Sequence, residues 1–298
     1  SCNAMSNYEQ KFICPKTKTA LVLAEDGNTL HNTSTEEPIS YEINDIVDLT
    51  YPKELFEQDR KEQLAYNDAY QRYDRGVTWV FESLNSDEAT VRQKMTNLLG
   101  LKPGMKVLEV GAGTGKDSEL IIKAIAPGGQ AFLSDLSPNM LRLAKQRLQP
   151  EEVDVNYFIA NGTYLPFEDN TFDAVFHFGG INTFSERKEA FEEFNRVVKV
   201  GGRVVVGDES VAPWLRDQSS YQTLMSANPM FADQVPLEDL PKNIDNFELH
   251  WIFGFGYYVL AFEKTDKTPE VNVNLQIPGK DFEDNWRIRA ERNAQKKA

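Results

Sequence analysis

Beyond Lys102-Pro103-Gly104, short apolar runs alternate with longer stretches in which apolar residues return every three or four positions. The runs predict strands over 106–110, 130–134, 153–159, 173–178 and 203–206. The periodic stretches predict helices over 116–125, 138–148 and 187–198, because a 3.6-residue period lines one helix face with apolar side chains. Strands interleaved with helices in this way imply βαβ crossovers and a doubly wound, mostly parallel α/β sheet of Rossmann-like type. Residues 247–263 read as two strands around Gly254–Gly256 with no helix between them, and such a hairpin is antiparallel.

Ahead of this region the texture differs. Ala20–Leu23, Ile39–Ile43 and Ile46–Leu49 are strand-like runs separated by Gly27-Asn28 and Thr/Ser/Glu clusters, which predicts a small β-rich module. Residues 54–75 and 87–99 have helical spacing, with Ser86-Asp87 as a cap for the second. Past residue 264 the chain is polar and weakly patterned. The expected division is an expression-tag remnant over 1–4, the β-rich module over 5–52, an α/β domain over 53–265 and a polar tail over 266–298.

Charge and cysteine content narrow the class. With 298 residues and a net charge of −14, the chain has no dense Lys/Arg cluster before its last dozen residues, which argues against a nucleic-acid partner. Cys2 and Cys14 alone cannot build a disulfide framework. No apolar run approaches the roughly eighteen residues of a membrane span, and Ser1–Met5 has neither the basic start nor the apolar stretch of a signal peptide. The expected location is the cytoplasm.

Val107-Leu108-Glu109-Val110-Gly111-Ala112-Gly113-Thr114-Gly115-Lys116-Asp117 reads as a buried strand, a glycine-rich turn and a helix start. Glycines at alternate positions allow a tight turn and a close backbone approach to a ligand, and the helix N-terminus offers amides to an anionic group. A dinucleotide fingerprint needs a sixth-position glycine where Lys116 stands, and the Walker spacing also fails. Asp135 follows Gly115 by 20 positions, at the end of the next predicted strand, where an acid can accept ribose hydroxyls. Ser137 and Pro138 then suit the N-cap and first position of a helix.

The E-x-G-x-G-x-G run from Glu109 to Gly115 resembles motif I of the class I S-adenosylmethionine-dependent methyltransferases, and Asp135-Leu136-Ser137-Pro138-Asn139-Met140-Leu141 resembles their D-x-S-x-x-M-L run. Leu165–Val175 and Val197–Arg203 resemble the family's entries to its fourth and fifth strands. The likeness covers about residues 60–263 and is nearest to the ubiquinone/menaquinone-type, methyltransferase type 11-like branch. It implies a seven-stranded sheet ending in an antiparallel hairpin, S-adenosylmethionine as cofactor and a small-molecule methyl acceptor. It also implies a cofactor site built from Glu109, Gly111, Ala112, Gly113, Thr114, Gly115, Asp117, Asp135, Leu136, Met140, Asn161 and Gly162.

Phe12-Ile13-Cys14-Pro15-Lys16-Thr17, with Leu21, Leu30 and Tyr41–Leu49, resembles a second family, the small zinc-ribbon-like domain of tRNA-methyltransferase activators. Thr17 replaces the second cysteine of its C-P-x-C pair, while His31 and Thr33 or Ser34 stand where later ligands would lie. A structural zinc takes about four ligands, so a metal-free relic is expected, an unrelated β-hairpin appendage being the other reading.

Methyl transfer from a sulfonium is an in-line displacement on an activated carbon, so the protein's task is alignment and water exclusion, with no metal required. A general base would sit at the carboxyl end of the fourth or fifth strand. His177 occupies the first place, as base or as cofactor-pocket residue; Asp208 and Glu209 occupy the second, as base or cap. His250 reads as structural. Tyr66, Tyr70 and Tyr73 share one helix face, a stripe that is core in most proteins, but the resemblance implies a lid helix that supplies a tyrosine, here Tyr73. Trp214, Tyr221, Met225, Met230 and Phe231 form an aromatic, Met-containing segment suited to an apolar or aromatic acceptor, to core packing or to a homodimer contact. A non-catalytic cofactor-binding protein that regulates a partner is the alternative of another class, and a nicotinamide enzyme is a distant third.

Overall fold

The computed structural model describes residues 7–55 and 57–297. They fall into two compact units divided between Lys267 and Thr268. In the larger unit the strands are β1 (Leu21–Leu23), β2 (Thr29–Asn32), β3 (Ser40–Glu42), β4 (Val47–Asp48), β5 (Lys106–Val110), β6 (Gln130–Asp135), β7 (Asp154–Ile159), β8 (Phe172–Phe178), β9 (Val198–Glu209), β10 (Ile244–Ile252) and β11 (Tyr257–Lys264). Helices α1 (Asn7–Lys11), α2 (Glu57–Ala69), α3 (Tyr73–Ser83), α4 (Glu88–Asn97), α5 (Lys116–Ile125), α6 (Pro138–Arg147), α7 (Arg187–Val197) and α8 (Ser219–Ala227) complete it. The smaller unit carries α9 (Lys280–Lys297), a helix with no buried residue in a stretch whose sequence shows no clear period.

The main sheet has the order β10-β11-β9-β8-β5-β6-β7-β4. The strands from β9 to β4 run parallel, and β11 and β10 are antiparallel additions. The seven strands expected from the sequence are all present, and β4 adds an eighth from the N-terminal segment. The chain leaves β5 toward β6 and β7, then returns to the other side of β5 for β8 and β9. That reversal opens a crevice at the carboxyl ends of β5 and β8, the place where open α/β sheets bind ligands.

Alternation along the strands divides the core between the two faces. Val107, Ala131, Leu133, Val205, Val259 and Ala261 pack with Met95, Ile121, Ile125 and Ala144 of α4, α5 and α6. Leu108, Val110, Phe132, Val204, Val206, Leu260 and Phe262 face the other way, toward Phe191 and Phe194 of α7 and toward Phe12, Leu21, Leu30 and Tyr41 of the N-terminal segment. A β-rich segment thus takes the place of one crossover helix. Phe12 sits 5.2 Å from Phe158, 5.7 Å from Phe167 and 5.8 Å from Phe132, ring centre to ring centre.

Two local differences from the sequence reading matter for the site. The helix expected over 54–75 breaks after Ala69 and restarts at Tyr73, so Tyr66, Tyr70 and Tyr73 do not share one helix. The second piece, α3, contains Gly76 and the β-branched Val77 and Thr78, poor helix formers whose local signal is weak. Packing holds it: Phe81 is buried and stacks on Phe253 at 3.8 Å. No helix among the described residues is long and apolar enough to cross a membrane.

Candidate functional site

The turn after β5 has Gly111, Gly113 and Gly115 at φ of +71°, +56° and +88°, a left-handed run that side chains with a Cβ resist. A Cβ on Gly111 would lie 3.1 Å from Cε1 of His177, and one on Gly115 would lie 3.2 Å from the Ala144 Cβ. Gly111 therefore keeps the cleft open, whereas Gly115 lets the loop pack on α6. Asp135, at the end of β6, accepts from the Gly113 amide through Oδ2 and from the Ser137 amide through Oδ1, both at 2.9 Å. Burial raises its pKa, opposed by those amides. Ser137 caps α6 by accepting from the Met140 amide, with Pro138 in the first turn.

Behind the glycines lies a buried charged cluster. Glu109 accepts from the Ser118 hydroxyl at 2.5 Å, and burial pushes its carboxyl well above the usual range. Arg92 of α4 pairs with Asp117 at 2.8 Å and with Glu88 at 2.9 Å, and Lys116 pairs with Glu88 at 2.8 Å. Burial is the main cause raising the Asp117 pKa, with Arg92 opposing it. No motif marks Arg92 or Glu88, because the ion pairs depend on α4 meeting α5 in space.

Helices α2 and α3 cover the crevice. From α2, Gln63 donates to the Leu136 carbonyl at 2.8 Å, Asn67 accepts from the Ser137 hydroxyl at 2.8 Å, and Gln58 donates to the Thr183 carbonyl at 2.5 Å. From α3, Asp74 accepts from the Thr114 hydroxyl at 2.5 Å and pairs with Arg147. The broken helix brings Tyr66 and Tyr73 edge to face at 5.8 Å over the glycine loop.

At the end of β8, His177 is 1% exposed, and its Nδ1 donates to the Val110 carbonyl at 2.6 Å. Its Nε2 has no hydrogen-bond partner among the described residues. Burial lowers its pKa, so the ring is neutral near neutral pH. Asp208 is fully buried and accepts from the amides of Gly180 (3.1 Å), Asn182 (2.8 Å) and Glu209 (2.9 Å). Asn182 also donates to the Glu209 carbonyl and accepts from the Tyr258 hydroxyl. The acid at the end of β9 thereby fixes the 179–183 loop and does not line the cleft. Its neighbour Glu209 does: Oε2 has no partner among the described residues, and burial, then Asp208, raises the carboxyl well above the usual range.

Two adjoining clefts result, of about 780 and 1150 Å³, sharing Tyr66, Tyr73, Gly111, Gly113, Phe178 and Gly179. Asp135, Leu136, Met140, Gly162 and His177 line the first; Glu109, Ala112, Thr114 and Asp117 line the second. Of the residues expected from the sequence, Gly115, Asn161 and Asp208 lie outside both, with Oδ1 of Asn161 accepting from the Thr163 amide. Asp59, Glu62 and Phe184 line the first cleft unannounced by any motif. Trp214 is exposed and meets Trp251 and Phe255 away from both clefts, while Tyr221, Met225 and Phe231 pack in the cluster that holds Phe81. His250 is half-exposed in β10, 3.5 Å from Glu248.

In the N-terminal segment, β2 turns Leu30 inward and His31 outward, where His31 meets Ser40 at 2.6 Å. Cys14 lies instead beside Tyr41 (3.0 Å) and Asn32 (3.5 Å), and Asn32 donates to Thr17 at 3.1 Å. Cys14 and His31 are not brought together. A neutral hydrogen-bonded network occupies the position that the sequence suggested for remnant ligands, and among the described residues no three His, Cys, Asp or Glu side chains group to hold a metal.

The profile of the ubiE/COQ5 methyltransferase family matches residues 56–236. The ubiquinone/menaquinone biosynthesis C-methyltransferase UbiE of Cupriavidus taiwanensis is 32% identical over 176 residues, covering 50% of this chain and 72% of that protein. That of Burkholderia mallei is 32% identical over 161 residues, covering 47% and 66%. Among solved structures, phosphoethanolamine N-methyltransferase 2 of Haemonchus contortus, in complex with phosphomonomethylethanolamine and S-adenosylhomocysteine, superposes with a TM-score of 0.52 at 18% identity. The match covers 67% of this chain and spans 61% of that one, a likeness of fold.

Proposed function

This chain belongs to the ubiE/COQ5 methyltransferase family and is an S-adenosylmethionine-dependent methyltransferase, and from that membership we propose a reading of its site: methyl transfer to a small acceptor with an apolar or aromatic frame. The observation that carries the reading is the meeting, at one crevice, of the left-handed Gly111 and Gly113, the Asp135 carboxylate and the buried, unpartnered Nε2 of His177. The residues fit the cofactor. The space beside Gly111 and Gly113 is one that a Cβ would narrow, Asp135 suits the ribose hydroxyls, and Leu136, Met140 and Gly162 offer flat, mostly apolar walls for adenine. When bound, S-adenosylmethionine supplies a methyl group on sulfonium sulfur, activated for in-line attack.

The protein's own contributions are alignment, water exclusion and proton acceptance. Tyr66 and Tyr73 close over the glycine loop and keep bulk water from the reacting centre. The neutral His177, its tautomer set by the Val110 carbonyl, keeps the Nε2 lone pair free to take a proton from the acceptor. Asp208 has both oxygens occupied by amides, so we assign it to positioning the 179–183 loop in place of the base role its sequence position suggested.

Titration calorimetry with S-adenosylmethionine, followed by incubation of the protein with labelled cofactor and fractionated small-molecule extracts, tests the proposal. Binding followed by label in a small-molecule fraction is expected. Binding with no transfer to any fraction would favour a regulatory protein on the same fold.

A further inference from the structure

We infer that Gly76 sets the size of the acceptor admitted to the second cleft: carrying no side chain, it leaves the cleft mouth open on the side away from the cofactor loop. The inference rests on the acceptor reading above, a small molecule with an apolar or aromatic frame, and names the residue that decides how large that frame can be.

Gly76 is the one glycine inside an α-helix among the described residues. Only proline suits a helix interior less well, so its place in α3 calls for a reason. The backbone supplies none, because Gly76 is not among the glycines with positive φ. Packing supplies none either. Outside its own stretch of helix backbone, a Cβ on Gly76 would have no atom within 4 Å, whereas one on Gly115 would press on Ala144 and one on Gly162 on Val110 and Phe184. What the glycine leaves is space. Gly76 is exposed and borders the second cleft, which places it at the mouth.

Helix geometry shows which side of the cleft this is. With 3.6 residues per turn, Tyr73, Val77 and Val80 form the middle of the stripe that lines the cleft, while Arg75, Trp79 and Glu82 form the exposed outer face. Asp74 and Thr78 stand on one flank of the stripe, and that flank is turned to the cofactor loop. Asp74 accepts from Thr114, between Gly113 and Gly115, while Thr78 donates to Glu88 and accepts from Lys116. Gly76 stands on the opposite flank. A side chain grown there extends away from the glycine loop and into the part of the cleft left for the acceptor. Val77, Val80, Phe178 and Tyr257 give that cleft apolar and aromatic walls, the surface such a frame needs.

The full chain, saturated with S-adenosylhomocysteine, is titrated with phenol and with 4-phenylphenol, neutral probes that differ by one ring. The parent is expected to bind 4-phenylphenol at least about tenfold more tightly, because the second ring buries more apolar surface. Gly76→Leu should weaken 4-phenylphenol by at least about tenfold, with phenol and S-adenosylhomocysteine changed by less than about threefold. Gly76→Ala should lose an intermediate amount and melt about 2 °C higher than the parent, as a helix relieved of an interior glycine does. Unchanged 4-phenylphenol binding in Gly76→Leu overturns the inference, as does an equal loss for both phenols or a loss that falls on S-adenosylhomocysteine. A lower melting temperature in Gly76→Ala also overturns it, since glycine would then serve the backbone or its packing. So does a parent that binds both phenols without preferring the larger. A parent that binds neither removes the apolar or aromatic acceptor reading itself, and this inference with it.

Discussion

Asp135 is organised before any ligand arrives: two backbone amides fix its carboxylate at the mouth of the crevice. A side chain held in this way spends little conformational freedom on binding, so its removal should register directly in cofactor affinity. Asp135→Ala is expected to weaken S-adenosylmethionine binding by about ten- to a hundredfold in calorimetry, the range for charged hydrogen bonds. A change under threefold would take the ribose role from this residue. Glu209 makes the opposite kind of statement. Its carboxyl is raised by burial and by Asp208, so the folded state holds its proton at pH values where the unfolded chain has released it. That contribution is present below the unfolded pKa and is lost as pH rises through the folded value. Glu209→Gln cannot lose a proton, so its melting temperature should gain on the parent as pH goes from 5 to 8, by roughly a few degrees. A gap that stays constant with pH would contradict the assigned burial. Comparison of variant with parent removes the opposing trend of His177, whose lowered pKa withdraws stability as pH falls below its unfolded value.

At the scale of elements, α2 is lightly attached to the larger unit. It has no buried residue among those described, and it meets the body through polar contacts of Gln58, Asp59, Gln63 and Asn67. Elements held by few buried contacts open at low free-energy cost. Amide exchange over 57–69 should therefore be fast in the free protein, slow in β5, and slowed in α2 alone when cofactor is added. Asn67→Ala should raise the cofactor Kd by about three- to tenfold, since Asn67 ties the lid to Ser137, while the melting temperature moves by only about 2 °C. Unchanged exchange on cofactor addition would mean that α2 is no lid. The same element shows where the sequence was readable and where it was not. The strand–glycine–helix unit at 106–125 and the cap at Ser137-Pro138 were legible because each is specified by contiguous residues, twenty at most. The break between Tyr66 and Tyr73, the helix around Gly76, and the task of Asp208 were not. Each is decided by partners more than 25 positions away: Phe253 under Phe81, Ser137 beside Asn67, and the Gly180 and Asn182 amides on Asp208.

At the scale of the whole molecule, the question is why an N-terminal β segment accompanies a sheet of this type. One face of the sheet is closed by α4, α5 and α6, but the other has α7 over part of it and, among the described residues, no further crossover helix beside β6 and β7. Phe132, Phe158 and Phe167 would be left facing water there. Phe12, Leu21, Leu30 and Tyr41 cover them, β4 extends the sheet by pairing with β7, and Lys18 reaches the Leu165 carbonyl and Glu193. The segment therefore completes the core of the cofactor-binding fold, a task met by packing and by the neutral Cys14–Asn32–Tyr41 network. Phe12 touches three rings of the sheet face, and its loss would open a cavity that rigid aromatic neighbours cannot fill. Phe12→Ala should cost about 3–5 kcal/mol, the range for a buried aromatic, read as a lower denaturant midpoint with an unchanged slope in a single transition. If the segment were an independent appendage, the same substitution would unfold residues 7–49 alone, giving two transitions and leaving cofactor binding intact at intermediate denaturant. Cofactor binding and the fluorescence of Trp251, lost together, are the outcome expected of a shared core.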